Sequence, residues 1–228
     1  MSDRAIRLVG LYATIAAAAS LVFAPLLALS YLATEQGADE LETGTVSAWA
    51  DPARDLAGAL LTFASPDRVY STYTQVLALL FPAVLLCAWA ARSLRPRPET
   101  RLERWGWRLA LSGYALLGAG LVAVSFVLIG ASPASTVTNL VFLPLIIPGL
   151  LLGTLGSTML GIRLLRSGYR PHLTAWLLAL AVPLWIVGSV VLGHNSLGVL
   201  PLFIAWAATG RQLAGSAQPA RAEAAAAR

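Results

Sequence analysis

Lysine is absent from this chain. All 16 of its basic residues are arginine, and one cysteine and two histidines complete a thin supply of reactive side chains. The lone Cys87 excludes an internal disulfide and any multi-cysteine metal site. His172 and His194 leave little material for haem or zinc ligation, so no cofactor and no metal are expected. Charge is scarce too, at 12% of residues, and none of it falls inside the long apolar runs. Transporters coupled to ions or protons usually place an ionisable group at mid-membrane, and that lack weighs against them.

What the chain does have is apolar length. At 57% hydrophobic, with a mean hydropathy of +0.72, its 228 residues lie outside the soluble globular range and read as an integral membrane protein. Arginine without lysine, alongside abundant Ala and Gly, is the composition of a GC-rich genome and points to a bacterial inner membrane. The pI near 10.0 does not mean a nucleic-acid partner, because the charge is distributed by segment. Residues 34–70 hold seven acids and two arginines, whereas residues 91–108 hold six arginines and two glutamates.

The pattern predicts an all-α fold, a polytopic bundle of six transmembrane helices in one domain, residues 1–212. The spans fall at about 8–33, 68–91, 105–130, 138–163, 173–192 and 197–212, followed by a disordered cytoplasmic tail, 213–228. The first run is longer than the ~7–15 residues of a signal-peptide core, so it is expected to stay as an anchor. The sixth is marginal alone. With six spans, every arginine-rich segment falls on one side and the acidic loop 34–67 on the other. The positive-inside rule then places both termini in the cytoplasm. In that loop, Asp51-Pro52 reads as a helix start, with Leu56, Leu60 and Phe63 at helical spacing and Trp49 just ahead. This predicts one outer amphipathic helix, lying on the membrane or capping the bundle. Trp105, Trp107, Tyr169 and Trp176 are expected at the inner interface, and Trp49, Tyr70 and Tyr73 at the outer one.

Within the fourth span Gly149, Gly153, Ser157 and Gly161 recur every four residues, so they share one helix face. Such a smooth stripe lets another helix approach closely. A second pattern pairs Ser65-Pro66, Pro82, Arg92-x-Leu94-Arg95 and Pro98 with Ser132-Pro133, Pro148, Arg163-x-Leu165-Arg166 and Pro171. A duplicated hairpin would give this, and so would caps and interfacial arginines arising independently.

Ser157 with His194 invites comparison with intramembrane serine proteases, but Ser157 lies roughly 9 Å from the arginine end of its helix and His194 in the opposite turn. A nucleophile and its base must meet at about 3 Å, so no catalytic residue is assigned and the chain is not expected to be an enzyme. The carboxylate pairs Glu40 and Glu42, and Asp51 and Asp55, sit in the loop beside solvent, while Glu99 and Glu103 alternate with arginines that can neutralise them. Arg92, Arg95, Arg97, Arg101 and Arg104 enforce topology and could hold anionic lipid headgroups. Prolines inside the spans kink helices and open cavities between them. Kinks that only shape the bundle are the first reading; if they also open a pocket, for a lipid or isoprenoid-like molecule, it is expected in the outer half near Tyr114, Pro144, Pro148 and Trp185.

Leu164-Leu165-Arg166-Ser167-Gly168-Tyr169-Arg170-Pro171, leading into an apolar span, resembles a group of small, uncharacterised six-span bacterial membrane proteins, as does the order of elements. That resemblance implies the topology and brings no catalytic residues with it. The expected function is a non-enzymatic membrane component binding a lipid or a membrane-protein partner, with a homo-oligomer open. A permease for an uncharged or lipophilic solute is the second reading, and a membrane-embedded enzyme the third.

Overall fold

The computed structural model describes residues 1–95, 100–127 and 136–216, and among these every regular element is helical. Helix α1 (Asp3–Tyr31) opens on Ser2, whose hydroxyl accepts from the Ala5 N–H at 3.3 Å, with Asp3 in the first turn. A 3-10 turn, Ala38–Glu42, leads into α2 (Gly44–Leu61). Helices α3 (Pro66–Leu80) and α4 (Pro82–Leu94) each start on proline, which needs no N–H in a first turn, and together form one apolar length. Thr100 caps α5 (Arg101–Val122) by accepting from the Glu103 N–H at 3.2 Å, and a π-helical stretch, Ala123–Val127, prolongs it.

The second half repeats the alternation of α and π segments. Short α6 (Thr136–Val141) passes through π-helical Phe142–Ile146 into α7 (Ile147–Arg166). Then come α8 (His172–Ala179), α9 (Ala181–Ile186) with its π-helical continuation Val187–Val191, and α10 (Asn195–Ser216). Among the described residues, five lengths are long and apolar enough to cross a membrane: Asp3–Tyr31, Pro66–Leu94, Arg101–Val127, Asn139–Arg166 and Asn195–Gly215. A sixth exists if α8 and α9, bent 63° against each other, count as one crossing.

The weak point expected in the last span therefore lies in the fifth. Leu180 departs from helical geometry (φ −93°, ψ 10°), and Pro183 can donate no N–H to mend the break. The Val182 N–H beside it is taken up by Thr158 Oγ1 of α7 at 3.2 Å. The last span, short on hydropathy alone, runs 21 residues because α10 continues through Arg211 into the residues read as tail. The rest of that tail, with Pro98 and Ser132-Pro133 of the apparent repeat, lies outside the described residues.

Neighbours in sequence pack together, and extensive contact between α1 and α10 closes the sequence into a ring. Inside it run Trp107, Trp206, Tyr114, Phe81 and Phe203, each at most 4% exposed, with successive ring centroids 5.9–6.5 Å apart. Trp107, expected at the interface, belongs to this interior column, whereas Trp105 and Trp176 are exposed.

Helix α2 starts at Gly44, well before Asp51-Pro52, and Pro52 sits inside it. Burial explains the extra length: Val46 and Ala50 pack on Leu29 and Leu32 at the end of α1. The bond that Pro52 cannot make is lost on an exposed side of the helix.

Candidate functional site

Three polar groupings lie at different heights in the bundle. The central one is built on the small-residue stripe. A Cβ on Gly149 would meet the Leu117 nitrogen at 2.6 Å, and one on Gly161 would meet the Ala179 nitrogen at 2.1 Å. Gly153 and Ser157 face Tyr114, whose hydroxyl is hydrogen-bonded to Ser157 Oγ at 2.5 Å and accepts from the Trp206 indole at 3.2 Å. Ser157 also donates to the Gly153 carbonyl. The stripe is thus occupied within the chain, by α5 along most of its length and by α8 at Gly161. Closest approach to α5 runs through Gly156 as well, which lies off the four-residue spacing and against Ala110, and through Gly113, which meets Gly153. Only the pairing of α5 with α7 reveals those two.

The expected pocket residues stand apart. Tyr114 is fully buried in the column, and Trp185 is half-buried and donates to Asn195 Oδ1 at 3.2 Å. Pro144 is exposed in a π-helical stretch, and Pro148 is half-buried in the first turn of α7. The partners of Tyr114 (Ser157, Trp206, Phe81) and those of Trp185 (Asn195 and nearby Gly198) have no residue in common.

At the end away from the arginines, His194 is enclosed between Tyr31 and Tyr70, at ring distances of 4.9 and 6.0 Å. Its Nδ1 accepts from the Ser196 N–H at 3.1 Å, so the neutral ring caps the start of α10. Ser196 Oγ in turn donates to the Ala24 carbonyl of α1. Burial pushes the His194 pKa down to about 4. Neither Ser157 nor any partner of Ser157 belongs to this group.

The third grouping sorts the arginines. Glu103 is only 3% exposed. Its carboxylate is 3.2 Å from Arg95 Nε and 3.9 Å from Arg163 Nε, so its cations come from α7 and from the end of α4 rather than from its neighbours in sequence. Arg95 also donates to Ser167 Oγ at 3.5 Å and lies 5.1 Å from the Tyr169 ring centre. That arginine is committed to holding α4, α5 and the α7–α8 turn together. Arg92 is half-buried, and Arg97 lies outside the described residues.

Arg101 and Arg104 are different. Both are exposed, and with Trp105 and Arg108 they line an open hollow of about 290 Å³ on the first two turns of α5. Arg108 stacks over the Trp105 ring at 5.6 Å. No ion pair joins Arg101, Arg104 or Arg108 to a carboxylate among the described residues. Arg108 stands outside the expected headgroup set because it sits in the first turn of the third span rather than in the loop before it. Its spacing with Arg101, Arg104 and Trp105 is nevertheless that of one helix face. Three guanidinium groups around an indole can bind a phosphate ester through charge-assisted hydrogen bonds while the ring lies against acyl chain. Comparison with family models, curated proteins and solved structures yields no match to this chain.

Proposed function

We propose that this chain is a six-span protein of a bacterial cell membrane, with both termini in the cytoplasm, that holds an anionic phospholipid at its inner rim and performs no chemistry. The observation that carries the reading is the Arg101–Arg104–Arg108 face around Trp105. Glu103, the one acid within that stretch of α5, is turned inward and neutralised by Arg95 and Arg163, so it does not compete for the exposed cations. Each arginine at an anionic membrane surface is worth about 1 kcal/mol. Three on one face therefore select an anionic headgroup over a zwitterionic one. The interior column of aromatic side chains supports a holding role over a conducting one. The occupied glycine stripe argues that any homo-oligomer forms elsewhere on the surface.

Mass spectrometry of lipids retained by the purified protein tests this reading. The wild type is expected to carry phosphatidylglycerol or cardiolipin. The combined R101Q, R104Q and R108Q variant is expected to lose it while keeping its thermal stability, since none of the three touches the core. Retention of the same lipids by the variant would overturn the assignment. The permease reading rests on a separate observation, the 63° break between α8 and α9 beside π-helical Val187–Val191. Broken helices can frame a solute site.

A further inference from the structure

The outer loop carries apolar surface that the bundle leaves uncovered. Helix α2 is apolar on two adjoining faces. One, with Val46 and Ala50, is buried on α1. The other carries Leu56 and Leu60, continued by Phe63 just past the helix end, and these are 92%, 52% and 55% exposed. Asp51 and Asp55, also exposed, lie round the helix from it, about 100° or more away. A helix facing only water would not hold two large apolar side chains on one edge, with a third just past its end, and its acids on a separate face. That division belongs to a helix lying in an interface plane.

The depth of this edge is fixed by contacts with a spanning helix. The Tyr73 hydroxyl donates to the Leu60 carbonyl at 2.7 Å, and Phe63 meets the Tyr73 ring edge-on at 6.3 Å. On its far side Tyr73 touches Phe23 of α1 at 6.1 Å. Tyr73 is seven residues into the length Pro66–Leu94, about 10 Å along its axis at 1.5 Å per residue. Helical side chains lean toward the N-terminus, so Tyr73 meets α2 within the first two turns of that span. An interfacial helix buries its apolar face roughly 5–10 Å into the headgroup and acyl boundary, which is the same range. At the other end of this contact, the Arg54 guanidinium donates to the Leu32 carbonyl at 2.9 Å and ties α2 to the end of α1.

We propose that the Leu56–Leu60–Phe63 edge of α2 is seated in the lipid of the leaflet on the loop side, so that α2 links the outer turn of the protein to that leaflet. Its inner face reaches the turn directly, with Val46 3.2 Å from where a Cβ on Gly193 would lie. The inference needs the bundle to span a bilayer but not the arginine site on α5, and the R101Q, R104Q and R108Q changes would leave it untouched.

The test uses the full chain in liposomes of phosphatidylcholine and phosphatidylglycerol. Single cysteines are introduced as L56C, L60C and D51C and coupled to an environment-sensitive fluorophore. Cys87 is fully buried and stays unlabelled. Leu56 and Asp51 are exposed and make no core contact, so these variants fold even if L60C does not. Seating in lipid predicts blue-shifted emission at L56C and L60C, with quenching by lipids doxyl-labelled near the headgroup. The D51C label is quenched instead by aqueous iodide. Equal iodide quenching at L56C and D51C would overturn the proposal, and so would cross-linking of L56C between two copies that shields it from doxyl lipid.

Discussion

His194 shows how a single residue couples the turn before α10 to pH. Its ring caps α10 only while Nδ1 is unprotonated and free to accept the Ser196 N–H. Burial lowers its pKa from 6.5 to about 4, so between those values the unfolded chain binds a proton that the folded chain does not. Stability is then greatest above pH 6.5 and declines as pH falls toward 4, by at most about 3 kcal/mol for a shift of that size. H194N keeps a capping acceptor without titrating. Thermal melts in detergent at pH 7.5 and 4.5 should show a larger loss for the wild type than for H194N. Equal losses would mean that the ring is accessible to protons in the folded state. Nothing in the sequence distinguishes His194 from a turn residue beside solvent, because its burial comes from Tyr31 and Tyr70, which belong to distant segments. Glu103 is similar: sequence places it among arginines, but its actual partners, Arg95 and Arg163, depend on the packing of α4 and α7 around α5.

At the scale of the element, periodicity reads well where one helix decides the outcome and poorly where two must agree. The stripe on α7 is visible in its four-residue spacing. Which of its glycines are indispensable is not, because the distances are set by α5. A Cβ on Gly113 would stand 2.1 Å from the Gly153 nitrogen, and one on Gly156 would stand 2.2 Å from the Ala110 nitrogen. A Cβ on Gly153 itself would meet the Tyr114 ring at 3.4 Å and the Gly113 carbonyl carbon at 3.7 Å, both ordinary contacts. G153A is therefore expected to be neutral or to gain up to about 1 kcal/mol of helix propensity. G113A and G156A must force the two helices apart and should each cost on the order of 1–3 kcal/mol. Melting temperatures of the three variants check this, and a G153A variant as damaged as G113A would refute the asymmetry. The break between α8 and α9 was equally hidden. Pro183 marks a weak point, but the bend is completed by Thr158 of α7, a residue with no sequence relation to it.

For the whole molecule, hydropathy and charge carry most of the legible information, since a bilayer requires long apolar helices and arginine chooses the side on which their ends remain. Among the described residues, five helical lengths apolar enough to cross and the apolar stretch of a sixth follow from that alone, but not the bend within the sixth. Which face each helix presents to its neighbours does not, and the closure of α1 on α10 could not be read from segments so far apart. Orientation can be tested at two positions outside the packed core, one of them the cap of α5. Thr45 is exposed in the acidic segment and Thr100 is half-buried beside the arginines. Cys87 lies fully buried at a hydrogen-bonding distance of 3.1 Å from the Trp206 carbonyl, so it should not react in the native protein. In intact cells, an impermeant maleimide is expected to label T45C and to leave T100C unlabelled until the membrane is opened. The reverse pattern would invert the bundle and move the Arg101–Trp105–Arg108 face to the outer leaflet. Labelling of both in intact cells would mean an even number of crossings between them. That result would remove the support for the proposed seating of α2 in lipid, because among the described residues Pro66–Leu94 is the only apolar length that separates the two positions.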